Sequence, residues 1–93
     1  IQIYSHYYYF FDCENDSSMP VPVQIWDRMD SYHTQDWMFM YAGGEYFYIF
    51  ARPTNCVIEI PDGNTKNGGH VRTNYYSGGD NQQWRISREC RSR

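Results

Sequence analysis

No run of apolar residues in this chain approaches the roughly 18 that a membrane-crossing helix needs, so a membrane span is not expected. Positive charge is scarce as well. Eight Lys and Arg stand against 11 Asp and Glu, a net charge of −3, which disfavours a polyanion such as nucleic acid as a partner. Cysteine is sparse and odd in number, with Cys13, Cys56 and Cys90. One disulfide with a spare thiol, an intermolecular bridge and three free thiols all satisfy that count. The wide spacing does not supply the clustered ligands of a zinc site. His6, His33 and His70 stand in unrelated contexts, so neither a metal nor another cofactor is expected. Sustained helical periodicity is missing. An initiating Met and a signal-peptide pattern are also missing, and Ile1 reads as a processed or truncated start.

What the chain does have is aromatic residues. They make up 19% of its 93 residues, with 10 Tyr, 5 Phe and 3 Trp. That is too aromatic for a disordered tail. It suits half-buried strands, or a binding face of apolar ring bodies and polar tips. The length fits one small domain with a thin core. Asn15-Asp16-Ser17 is an N-glycosylation acceptor triplet, which marks a surface loop in a secreted protein. A secreted, extracellular location is the expectation.

The chain repeats itself. Gln35-Asp36-Trp37 and Gln82-Gln83-Trp84 share the form Gln-x-Trp and lie 47 residues apart. The same offset lays Phe10-Phe11-Asp12 on Val57-Ile58-Glu59, and Asn15 to Ser18 on the turn-rich Asp62 to Thr65. With one residue of slippage, Val23-Gln24-Ile25-Trp26 meets Val71-Arg72-Thr73-Asn74. Repeats of 20–50 residues usually bury their apolar faces against one another. Strands are expected at Tyr46–Phe50, Cys56–Ile60, Val71–Tyr75 and Gln83–Ser87. Turns are expected at Pro61-Asp62-Gly63 and Gly78-Gly79-Asp80. Repeat one spans about 1–42 and repeat two about 43–89, with a basic tail at 90–93. Together they form a single domain. One short turn of helix is allowed before each Gln-x-Trp.

An apolar pair followed by an acid, then Val-Gln-x-Trp, then Gln-x-Trp resembles the ricin B-type lectins. The second repeat, ending Gly78-Gly79-Asp80-Asn81-Gln82-Gln83-Trp84, is the more specific half. The resemblance implies an all-β, β-trefoil-like fold with two of its three four-stranded repeats present in this chain. Open barrel edges invite association. The third repeat is therefore expected from residues outside this chain, another protein chain or a homo-oligomer. Cys90 is a candidate to bridge to such a partner.

Sugar recognition needs a ring for C–H groups to stack on, a carboxylate to accept hydroxyl protons and an amide that both donates and accepts. The resemblance places Asp12 as the acid and Trp26 as the ring in repeat one. Gln24 lies on Trp26's strand face, and Thr34 stands where the family has an amide. In repeat two Glu59 is the acid, Asn74 replaces the ring, Tyr75 or Tyr76 offers a substitute, and Asn81 keeps the amide. Gln35 and Gln82 belong to the same pockets, with a turn-holding role through backbone hydrogen bonds. Trp37 and Trp84 are expected in the core. Repeat one, with ring and acid both present, is the favoured site, for a galactose-type or related sugar. No nucleophile elbow, partner base or metal motif accompanies Asp12 and Glu14, so catalysis is not expected. The rival reading is a structural or protein-docking subunit of a larger secreted assembly, such as a toxin or enzyme accessory chain, whose sugar sites have decayed.

Overall fold

The computed structural model describes residues 1–13, 19–29, 33–52, 54–62 and 64–87. Glu14, Asn15 and the tail 88–93, which includes Cys90, lie outside the described residues. Among the described residues seven strands form: β1 Tyr9–Cys13, β2 Val21–Asp27, β3 Trp37–Gly43, β4 Tyr46–Ala51, β5 Cys56–Glu59, β6 Arg72–Tyr75 and β7 Trp84–Arg85. Two 3-10 turns, His33–Gln35 and Asp80–Gln82, each end on the glutamine of a Gln-x-Trp triplet. The hydrogen-bonded order is β1-β2-β6-β5-β4-β3, with β7 joined to β4, and every ladder is antiparallel.

The repeat is visible in the register. Asp12 faces Gln24 across β1–β2, and Glu59 faces Arg72 across β5–β6. Phe10 faces Trp26, and Val57 faces Asn74. Acid positions are thus 47 apart and their cross-strand partners 48 apart, which is the slippage read from the sequence. The two halves meet where β2 pairs β6, and the Thr73 hydroxyl donates to the Val21 carbonyl at 3.1 Å.

Among the described residues repeat two has four strands, β4 to β7, and repeat one has three, β1 to β3. Its opening segment contributes a bridge between Tyr4 and Phe10, a two-way backbone exchange between Ile1 and Trp37, and the Ile3 carbonyl that accepts from Phe11. In repeat two β7 is shorter than the expected Gln83–Ser87, and among the described residues it pairs with Tyr46 and Phe47 of β4.

Cys13, Val21, Trp37, Ala51 and Ile58 form the core, with Ile3, Met19, Val23, Ile49, Val71 and Trp84 packed on it. Both described cysteines are buried free thiols, so Cys13 and Cys56 are not bridged to one another. The Cys13 thiol instead donates to the Thr34 carbonyl at 3.6 Å. Burial, then the neighbouring Asp12 charge, pushes that thiol up to about 11.

The core is open on one side. An apolar cavity of about 420 Å³ is lined by Phe11, Val23, Ile49, Ile58, Val71 and Trp84 among others. Repeat-related residues see it unequally. Trp37 is 1% exposed while Trp84 is only half-buried, and Phe11 is 39% exposed while Ile58 is 5%.

Candidate functional site

Each repeat builds one buried polar knot. In repeat one the Gln35 amide donates to Asp12 Oδ2 at 3.0 Å and to the Asp27 carbonyl at 2.6 Å, and its oxygen accepts from the Met29 N–H at 2.9 Å. In repeat two the Gln82 amide donates to Glu59 Oε1 at 2.8 Å and to the Tyr75 carbonyl at 2.9 Å, and its oxygen accepts from Ser77 and Gly78. Gly78 reaches that oxygen from φ +79, a conformation open to glycine. The tryptophan two residues on completes each knot. Trp37 Nε1 donates to the Phe11 carbonyl, and Trp84 Nε1 to the Ile58 carbonyl. Gln-x-Trp is therefore a clamp. The glutamine fixes the acid and the end of the next strand, while the tryptophan holds the backbone beside the acid.

The settings of the two acids differ. Glu59 is 3% exposed, and its second oxygen receives Arg72 Nε at 2.9 Å and Asn74 Nδ2 at 3.1 Å. Burial by itself would raise the Glu59 carboxyl. The bonds from Gln82, Asn74 and Arg72 overcome that, together with the Arg72 charge, and hold it below the usual carboxylate range. Both oxygens are thus committed inside the protein. At Asp12, 4% exposed, the position facing it across the strand pair is Gln24 in place of arginine, and the next position along is Trp26 in place of asparagine. Trp26 is 51% exposed and Gln24 partly so. Cross-strand and alternate positions share a sheet face, so Asp12, Gln24 and Trp26 are brought together. Thr34 is half-buried on the 3-10 turn that carries Gln35.

The remaining repeat-two residues are drawn into other work. Asn81 Nδ2 donates to the Ile60 carbonyl and to Asp62 Oδ1, pinning the turn after β5. Asn74 Oδ1 accepts from the Tyr75 N–H. Tyr76 stacks on Phe50 at 5.6 Å and meets Tyr48 edge-on at 5.0 Å. Its hydrogen bond is the main cause raising the Tyr48 phenol above its ordinary value. Arg72 is the residue that sequence reasoning missed. Its alignment with Gln24, directly across from the acid, was the available signal. Among the described residues no cluster of three or more His, Cys, Asp or Glu is placed to hold a metal.

Residues 33–92 match the family described as ricin-type beta-trefoil lectin domain-like. No curated protein matches the chain. Among solved structures, a designed three-fold symmetric protein, ThreeFoil, is similar at 28% identity with a TM-score of 0.79. The likeness covers 90% of this chain and 61% of ThreeFoil, so the chain spans less than two thirds of that three-fold molecule.

Proposed function

Since this chain belongs to the ricin-type β-trefoil lectin domain-like family, we propose that it is a secreted carbohydrate-binding module whose sugar site is in repeat one. A pyranose of galactose type stacks on Trp26, with Asp12 accepting from its hydroxyls and Gln24 and Thr34 at the rim. Binding breaks no bond and asks for no cofactor. The observation that carries the choice of repeat is the contrast between the acids. Arg72 and Asn74 close around Glu59, whereas Gln24 and the half-exposed Trp26 occupy those positions beside Asp12. Retention on a galactose column tests the reading. The parent chain and an Asn74→Ala variant should both be retarded, while a folded Trp26→Ala variant should elute unretarded. Full retention of Trp26→Ala would overturn it.

The open cavity supports a companion reading, that a third Gln-x-Trp repeat closes the molecule in the working assembly. Phe11 and Ile58 already line that cavity from positions 47 apart, as do Val23 and Val71 from positions 48 apart. An incoming repeat with apolar residues at the matching places would complete both sets. Its source is a segment outside this sequence, another protein chain or a second copy.

A further inference from the structure

Tyr4, Phe10 and Trp26 form one cross-strand row. Tyr4 bridges to Phe10, and Phe10 pairs with Trp26. Phe10 in the middle is 3% exposed, while Tyr4 and Trp26 at the ends are 54% and 51% exposed. Tyr4 lies flat on Phe10, with centroids 4.6 Å apart at 27°, and Tyr8 stacks beyond it at 6.2 Å and 18°. Tyr4, Tyr8 and Phe10, with Gln2 and Arg28, line a groove of about 310 Å³. In repeat two the residue paired with Val57, as Tyr4 is with Phe10, is Phe50, which is buried and stacked on Tyr76, and the turn residues Arg52, Thr54 and Asn55 that follow it carry no exposed ring.

Tyr8 has a second peculiarity. Its φ is +64, the one non-glycine residue at positive φ among those described. A bulky residue there is an outlier, and glycine would adopt the conformation without penalty. The turn is over-determined by Ser5, whose carbonyl accepts from the Tyr8 N–H at 2.9 Å and whose hydroxyl accepts from Tyr7. Yet the tyrosine held in this way is 70% exposed, and beyond its stack on Tyr4 the ring faces solvent. Strain retained on an exposed ring points to a ligand.

We propose that the Tyr4–Tyr8–Phe10 groove is a second subsite of the sugar-binding face, taking a further ring of an oligosaccharide whose first ring stacks on Trp26. The proposal rests on the repeat-one reading. The outer members of the row are two inter-strand spacings apart, about 10 Å, which leaves room for linked sugar rings to follow it. Flat tyrosine faces suit sugar C–H groups. The Gln2 amide supplies a polar edge that can both donate to and accept from hydroxyls. The ligand is then a short chain of neutral sugars rather than a single terminal unit.

Titration calorimetry with galactose and with a linear β-galactotriose tests this. The parent chain should bind the trisaccharide about five- to ten-fold more tightly, the scale of one added stacking contact. Tyr8→Gly keeps a turn that glycine favours while removing the ring. It should lose that advantage and leave galactose binding unchanged. Tyr8→Phe should retain the advantage, and Trp26→Ala should abolish binding of both sugars. Equal affinity of the parent for the two sugars, or an advantage that survives Tyr8→Gly, overturns the subsite and leaves the repeat-one reading standing. Binding of neither sugar by the parent overturns both.

Discussion

Gln35 and Gln82 are 0% and 1% exposed, and each satisfies a buried carboxylate together with the backbone of the following strand end. Truncation leaves those groups unpaired, at about 1–3 kcal/mol for each group left without a partner. Gln82→Ala should therefore lower unfolding free energy by roughly 2–3 kcal/mol, read from urea denaturation. Asp12→Asn keeps an oxygen for Gln35 but exchanges the charge for an amide. It should preserve the fold, with melting lowered by a few degrees at most, and lose galactose retention. Glu59 adds a pH signature. Its folded carboxyl titrates below the unfolded value of about 4.3. Its stabilising contribution is complete above that value and disappears as pH falls through the folded value. The urea midpoint should hold between pH 7 and about 5 and then fall, more shallowly in Glu59→Gln.

At the scale of elements, β1–β2 and β5–β6 are one hairpin design with different residues at two facing positions. If Arg72 and Asn74 are what close the second acid, reversing them should open it. A Glu59→Asp, Arg72→Gln, Asn74→Trp variant copies the repeat-one pattern and should bind about two galactose equivalents where the parent binds one, read as calorimetric stoichiometry. Much of this pattern was legible beforehand. The acid, Gln and Trp positions recur at one offset, and the structure gives them the same hydrogen bonds. The Arg72–Glu59 pair was not read because it depends on cross-strand register, and the alignment carries a one-residue slip between acid and partner. Tyr8's backbone conformation was invisible for another reason. Nothing in Tyr7-Tyr8-Tyr9 announces a positive φ, which is imposed by the Ser5 turn. The extent of β7 follows its pairing with Tyr46 and Phe47 of β4, and a strand's own residues do not encode that.

At the scale of the whole chain, two repeats enclose an apolar opening, the face that the proposed third repeat would cover. Trp84 and Phe11 are among the residues of the opening left partly uncovered, with Val23, Ile25, Ile49 and Val71. Phe11→Lys places a charge on the opening while leaving the backbone carbonyl that Trp37 uses. It should weaken association by at least about tenfold, the effect of burying one uncompensated charge, in sedimentation equilibrium, with little change in monomer melting. Sugar binding should be unaffected, because Phe11 alternates with Asp12 along β1 and points to the other face. The central claim, that repeat one holds sugar against Trp26, is open to a direct reading because the chain has only three tryptophans. Their indole N–H signals can be followed by nitrogen–proton correlation NMR during a galactose titration. The expected result is a saturable shift of the Trp26 signal alone, with Trp37 and Trp84 held in place by their bonds to the Phe11 and Ile58 carbonyls. A Trp26 signal that stays fixed to saturating sugar, or a shift confined to Trp84, would contradict the claim.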